Sequence, residues 1–243
     1  MLTPGGSLDQ ILPSPPHRSY IGPGRLWILA CAALLLVGLA LATGDLDRMQ
    51  RLASERYGAS GQESIGAWRQ VLADSAALDT EDQLARINTF FNRRLRFLDD
   101  DIIWGTKDYW ATPLETMGRR AGDCEDFTIA KYASLLLLGV PREKLRLIYV
   151  KARIGGASSP ITQAHMVLGY YPTPEAEPLI LDNLISDIRP AARRPDLFPI
   201  FSFNGAGLWT AGASASSGDP TARLSRWRAA LERMREEGLD LPR

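Results

Sequence analysis

The stretch Gly122-Asp123-Cys124-Glu125-Asp126-Phe127 opens an apolar run that continues to Leu138. This run predicts a buried helix that begins at Cys124 and stops at Gly139, with Pro141 as a further terminating signal. One thiol would therefore lie among three carboxylates at a helix N-terminus. Because few soluble domains build such a cluster, we interpret the stretch as a candidate active site.

The numbers of cysteines and histidines restrict the chemistry of this site. The chain has 243 residues, with two cysteines and two histidines. Cys31 and His17 lie in an apparent export segment, so the mature body retains Cys124 and His165. A thiol attacks as the thiolate, and a helix N-terminus or an imidazolium neighbour lowers its pKa from about 8.5. Cysteine-based catalysis would thus use Cys124 as the nucleophile and His165 as the base.

A catalytic imidazole also needs an orienting partner. Residues 164–171 and 178–182 are rich in β-forming residues and flank a proline-rich turn, so we predict an antiparallel hairpin. The hairpin would bring His165 and Asp182 to one rim, with Asp182 orienting the imidazole. The structural alternatives are a packed cysteine, a satisfied histidine and an aspartate that begins a turn.

Composition excludes several classes of function. The chain has 28 basic residues (Lys and Arg) and 28 acidic residues (Asp and Glu), so it carries no excess of positive charge. A nucleic-acid partner is therefore not predicted. A single body cysteine excludes an internal disulfide framework and a cysteine-based zinc site. An apolar content of 45% is enough for one sizeable core.

Residues 1–42 are interpreted as a polar leader followed by a signal peptide or a signal anchor. Arg25 precedes an apolar run from Leu26 to Ala42 that ends in Ala-Leu-Ala, as secretory signals do. The run also approaches the roughly 17–25 residues that span a membrane, so an uncleaved anchor is the alternative. Lipidation at Cys31 is disfavoured, because most of the apolar run follows it. Either interpretation places the body across the membrane.

The remaining pattern predicts an α+β fold, with helices first and an antiparallel sheet after them. Helices are expected over 46–78, from 79 to about 95, over 114–120 and from Cys124; strands are expected at 145–150 and in the hairpin. Residues 189–199 are expected to cross the surface, and 201–204 with 208–209 to add an edge strand. Residues 43–210 would form the main domain. Residues 211–243 would form a linker and an amphipathic helix that packs back on the body or binds a partner.

Residues 97–113 interleave aromatic and acidic side chains. This composition suits a loop that borders a site, and ordinary loop packing explains it equally well.

Four segments together resemble the bacterial transglutaminase-like cysteine proteinases, the LapG family. They are Gly-Asp-Cys-Glu-Asp at 122–126, Ala-His-Met-Val at 164–167, Leu-Asp-Asn at 181–183 and the Trp-Gly to Thr-Pro segment at 104–113. The likeness spans roughly residues 80–205. It implies a papain-like or transglutaminase-like core and a Cys124–His165–Asp182 triad.

The resemblance also implies a biological setting. Such a protein would be a periplasmic endopeptidase that cuts the amino-terminal region of a large surface adhesin at a paired-alanine site, which releases cells from a biofilm. An inner-membrane cyclic di-GMP receptor of LapD type would hold it inactive. Two alternatives are kept: acyl transfer or amide hydrolysis by the same triad, and a non-catalytic domain that binds a receptor.

Family members need calcium, and the resemblance places its ligands at Asp123, Glu125 and Asp126. Carboxylate oxygens are ligands that calcium takes. The structural alternative is helix capping by Asp123 and Asp126. Because neighbouring carboxylates oppose thiolate formation, we hypothesise that calcium orders the loop before Cys124 and protects the ionised thiol. The backbone N–H of Cys124 is the predicted first oxyanion-hole donor, and the second is unassigned.

Overall fold

A computed structural model describes residues 43–213 and 215–241 of the chain. Its α-helices are α1 Leu46–Ser75, α2 Thr80–Arg94, α3 Asp100–Trp104, α4 Pro113–Arg119, α5 Cys124–Leu137, α6 Pro220–Arg223 and α7 Ser225–Glu236. Its strands are β1 Thr43–Gly44, β2 Arg96–Phe97, β3 Ala121–Gly122, β4 Leu145–Arg153, β5 Thr162–Tyr170, β6 Leu179–Leu181, β7 Arg189–Pro190, β8 Leu197–Phe203, β9 Leu208–Thr210 and β10 Leu239–Asp240. The leader and signal or anchor segment, residues 1–42, lies outside the described residues. Within the described ranges, none of the helices has the length and apolar character needed to cross a bilayer.

Six strands form one antiparallel sheet in the order β7-β6-β5-β4-β8-β9. Helices precede this sheet in the chain, which confirms the predicted α+β class. The predicted hairpin is also confirmed, because β5 pairs with β6 through Leu168 opposite Leu181. Asp182 directly follows β6 and His165 lies in β5, so the hairpin carries both side chains to the same part of the sheet.

Residues 189–199 lie largely at the surface, as predicted, but the sequence pattern did not predict that their C-terminal end is a strand. Leu197 begins β8, which lies between β4 and β9 in the interior of the sheet and is not an edge. Val150 pairs with Pro199 and Tyr149 pairs with Phe201, so one extra residue forms a bulge between them. A proline is tolerated in a sheet where a bulge interrupts the ladder, which explains why the strand continues through this position.

Helix α5 lies at the centre of the fold. It is apolar almost all round and is buried on nearly every side, as expected for a helix enclosed by other elements. It packs against β5, α2 and α4, and the Thr128 hydroxyl donates to the Met166 carbonyl at 3.1 Å. Gly139, at φ 85°, ends it in the left-handed conformation that glycine adopts most readily. The first turn of α5 is thus fixed beside the strand that carries His165.

The C-terminal helix α7 belongs to the same core. Its apolar stripe buries Trp227, Leu231 and Met234, at the spacing that predicted the helix. The Trp227 ring meets Tyr132 of α5 and Phe203 of β8 edge-on. The chain then ends in β10, which pairs with β1. Residues after 210 therefore help to close the fold.

Replacing Trp227 by alanine should lower the free energy of unfolding by roughly 3–5 kcal/mol, since it leaves a large cavity beside Tyr132. Urea unfolding followed by far-ultraviolet circular dichroism measures this. Glu232→Ala, on the exposed face of α7, is the matched control and should change stability by no more than about 0.5 kcal/mol. Equal effects of the two variants would contradict the packing.

Lys131 is a buried cation within α5, and burial lowers its pKa from 10.5 to about 7, partly opposed by the charge of Asp182. Between about pH 7 and pH 10.5, Lys131 binds a proton in the unfolded chain but not in the native protein. The free energy of unfolding therefore rises with pH in this range, by up to about 1.4 kcal/mol per pH unit. Lys131→Met should therefore stabilise the protein most below pH 7, and the gain should fade towards pH 10.5. Urea unfolding of both proteins at several pH values tests this; a gain independent of pH would contradict it.

Candidate active site

Cys124 is the first residue of α5, and its side chain faces an open cavity of about 460 Å³. His165 and Tyr149, from neighbouring strands, line the same cavity. Its remaining walls include Gln163 of β5 and the acidic segment 99–101. The structure thus brings the predicted nucleophile and the predicted base to one solvent-accessible cleft.

His165 and Asp182 form a buried pair. His165 Nε2 lies 2.8 Å from Asp182 Oδ1, and both side chains are almost fully enclosed. Because this hydrogen bond uses Nε2, the other ring nitrogen, Nδ1, is the one left for a second partner. This is the arrangement that a catalytic imidazole needs, with one nitrogen oriented and the other available for proton transfer.

Asp182 is itself held by several donors. Its Oδ1 also accepts from the Leu184 N–H at 3.0 Å, and its Oδ2 accepts from Arg194 Nη2 at 2.7 Å. Burial alone would raise the pKa of Asp182, but the hydrogen bonds from His165, Leu184 and Arg194 lower it to about 2. Asp182 is therefore ionised at neutral pH and suited to orient an imidazolium.

Arg194 is a site residue that the sequence pattern did not reveal. It lies in a stretch rich in Arg and Pro that was interpreted only as surface chain. Its side chain is 1% exposed and forms ion pairs with Asp182 and Asp196. The sequence offers one clue, which is the carboxylate of Asp196 two residues after Arg194. Acidic and basic residues two positions apart are common on protein surfaces, so this spacing does not identify a buried ion pair.

The thiol of Cys124 lies in an acidic environment. Its Sγ donates a hydrogen bond to Glu125 Oε2 at 2.7 Å. Burial raises the pKa of Cys124 well above its ordinary value, and the charges of Glu125 and Asp123 raise it further. This environment favours the protonated thiol over the thiolate.

Asp100, Asp123 and Asp126 form a compact acidic cluster next to the thiol. One carboxylate oxygen from each lies within 4.8 Å of the others. Asp100 Oδ2 accepts from the Tyr109 N–H at 2.6 Å, and Asp126 Oδ1 accepts from the Ala111 N–H at 2.7 Å. The second oxygens of Asp100 and Asp126 are buried and have no partner among the described residues. Such orphaned oxygens indicate a position for a cation.

The electrostatics of the cluster agree with this interpretation. Burial and the neighbouring charges of Glu125, Asp126 and Asp100 raise the pKa of Asp123 to about 10. Gly122 permits the close approach, because a Cβ at this position would lie 2.6 Å from that of Asp126. The backbone is therefore shaped to bring together carboxylates that repel one another.

The cluster overlaps the predicted ligand set without coinciding with it. Asp123 and Asp126 belong to the cluster, whereas Glu125 groups with Asp123 and Cys124. Asp100 is the additional member. It lies in the Asp-rich run at 99–101, where nothing in the sequence distinguishes it from its neighbours, because the packing of α3 determines which of these side chains is buried.

The aromatic segment 97–113 borders the site, and it contains the short helix α3. Its backbone donates to the acidic cluster as described above, and the C-terminal helix α7 holds it from outside. Arg226 pairs with the Asp108 carboxylate at 2.8 Å, and the Arg233 guanidinium lies 4.6 Å from the centre of the Tyr109 ring. The site is thus supported by elements from both ends of the described chain.

Comparison with known proteins agrees with this geometry. The sequence profile described as bacterial transglutaminase-like cysteine proteinase matches residues 64–198. Among solved structures, Legionella pneumophila LapG treated with EGTA is 41% identical with a TM-score of 0.67, covering 78% of this chain and 97% of that chain. Its calcium-bound form is 39% identical with a TM-score of 0.67, covering 78% and 98%. None of the curated proteins matches the chain.

The profile match extends over more than half of the 243 residues, and the LapG structures are covered almost completely. The chain therefore belongs to the bacterial transglutaminase-like cysteine proteinase family and is a cysteine peptidase of the LapG type.

Proposed function

We propose that this protein is a calcium-dependent endopeptidase with a Cys124–His165–Asp182 triad. The observation that carries the proposal is the 2.8 Å pair between His165 and Asp182, with His165 and Cys124 lining one open cleft. The open cleft suits a protein substrate, since a polypeptide can enter it without a large rearrangement.

In the proposed reaction the Cys124 sulfur attacks a main-chain carbonyl of the substrate. His165 accepts the thiol proton and then gives it to the leaving amine, while Asp182 stabilises the imidazolium. The backbone N–H of Cys124, among the unpaired donors at the start of α5, would stabilise the developing oxyanion. Water then hydrolyses the acyl-enzyme, with His165 as base, and restores the thiol.

Calcium is assigned to the cluster of Asp100, Asp123 and Asp126. Calcium–oxygen distances of about 2.3–2.6 Å allow two ligands of one ion to lie up to about 5 Å apart, which fits the spacing of these oxygens. The bound ion would supply positive charge beside the thiol. Glu125 is the further carboxylate within reach, and its movement away from Cys124 Sγ would free the thiol for His165.

The proposed substrate is the amino-terminal region of a large surface adhesin, cut at a paired-alanine site to release cells from a biofilm. The proposed location is the periplasm, reached through the amino-terminal signal or anchor. An inner-membrane cyclic di-GMP receptor of LapD type is the proposed regulator. Phe97 and Ile102, respectively 48% and 67% exposed beside the cleft, provide apolar surface for such a partner.

A cleavage assay tests the proposal. The body from Thr43 onward is mixed with the amino-terminal fragment of a large adhesin from the same genome, with calcium or with chelator. We expect a single cut with calcium and none with chelator or with Cys124→Ala. Sequencing of the new N-terminus would establish hydrolysis of a main-chain bond. Ammonia or an isopeptide product, or no reaction by the folded protein, would contradict the proposal.

The same assay tests the metal ligands. Asp100→Asn should raise the calcium concentration for half-maximal cleavage by roughly tenfold or more, because calcium affinity depends on the number of charged ligands. Asp101→Asn is the matched control, since Asp101 is the exposed neighbour of the buried Asp100. Identical calcium requirements for both variants would remove Asp100 from the site.

A further inference from the structure

A second cavity, of about 480 Å³, lies on the face of the sheet that is turned away from α5. Along β4, Leu147 belongs to the main core, whereas Ile148 and Val150 belong to a separate small cluster with Val167 and Ile180. This cluster forms the apolar floor of the cavity. The cavity is therefore separated from the cleft of Cys124 by the sheet itself.

Arg146 supplies a cation at this cavity. Its guanidinium carbon lies 4.1 Å from the centre of the Trp209 ring and 4.7 Å from that of Tyr171. Two aromatic rings fix the plane of the guanidinium and leave its edges for hydrogen bonds. Within the described part of the chain, the Arg146 guanidinium hydrogen-bonds the Tyr171 side chain and forms no ion pair, and its buried Nε has no hydrogen-bond partner.

Arg194 supplies a second donor from the same lining. Its side chain is 1% exposed, and its Nε and Nη2 are occupied by Asp196 and Asp182. Its Nη1 is buried and has no partner among the described residues. Leaving buried charged donors unsatisfied is costly, so two such donors at one cavity indicate an acceptor that the chain itself does not provide.

The charges around the cavity restrict the chemistry of that acceptor. Arg194 carries one positive charge and pairs with two carboxylates, those of Asp182 and Asp196, and the exposed Glu175 adds a further negative charge to the lining, so Arg146 is the cation of this lining that forms no ion pair among the described residues. A single negative charge is therefore better matched here than a dianion such as a phosphate monoester. The apolar floor and the aromatic walls favour an apolar body attached to that charge.

We propose that this cavity binds a small organic monocarboxylate, with its apolar body on Ile148 and Val167 and its carboxylate accepting from Arg146 and Arg194. This site lies outside the peptidase triad. Arg194 connects the two, because its Nη2 also donates to Asp182. The proposal concerns binding, and it does not require that the protein cleave an adhesin.

Calorimetry with phenylacetate as the probe tests the proposal on the full chain carrying Cys124→Ala, so that peptidase activity plays no part. Phenylacetamide provides the neutral isostere, and phenyl phosphate provides the dianion. We expect phenylacetate to bind about tenfold more tightly than either, as charge-assisted hydrogen bonds to a single carboxylate imply. Equal binding of acid and amide, or no binding of the acid, would overturn the proposal without any variant.

A pair of arginine variants locates the site. Arg146→Gln should weaken phenylacetate binding by about tenfold or more, through loss of the charge between the two rings. Arg153→Gln is the matched control, because Arg153 also lies on β4 and over an aromatic ring, that of Phe198, but outside this cavity. Unchanged binding in a folded Arg146→Gln protein, or equal losses in both variants, would overturn the assignment.

Discussion

Three carboxylates, those of the buried Asp100 and Asp126 and of the partly buried Asp123, meet at the first turn of α5, and this concentration of acidic groups is the constraint around which the site is built. Gly122 allows their close approach, and backbone N–H groups of the aromatic segment satisfy some of their oxygens. Burial raises the pKa of the adjacent Cys124 thiol, and the charges of Glu125 and Asp123 raise it further. The same cluster therefore links the fold of the aromatic segment, the proposed metal and the reactivity of the nucleophile.

The members of the proposed triad could be chosen from the sequence because composition left few choices. One thiol and one imidazole remain in the body, and β-rich strands around a proline-rich turn bring an aspartate to the histidine. The partners that support the triad could not be predicted. Arg194 and Asp100 resemble surface residues in sequence, and their burial follows from the packing of distant elements. The start of β8 could not be predicted because a proline usually argues against a strand inside a sheet. Here the strand continues through Pro199 because a bulge interrupts the ladder at that point.

Arg194 connects Asp182 with the second cavity, on the other face of the sheet. Its buried guanidinium donates a hydrogen bond to Asp182 and also lines the second cavity. Asp182 in turn is hydrogen-bonded to His165. His165 and Asp182 are thus connected by hydrogen bonds to a cavity on the other face of the sheet. Helix α7 also supports the cleft of Cys124, because its Arg226 pairs with Asp108 of the aromatic segment, which lines that cleft. Both supports come from parts of the chain after the catalytic residues.

If calcium binds the acidic cluster, its positive charge should release the thiol of Cys124 for catalysis. The direct test is the rate of iodoacetamide alkylation against pH, with calcium and with chelator, on the body from Thr43 onward, in which Cys124 is the single thiol. We expect calcium to lower the midpoint of this profile by at least about one pH unit, which corresponds to about 1.4 kcal/mol. Superimposable profiles with and without calcium would contradict it.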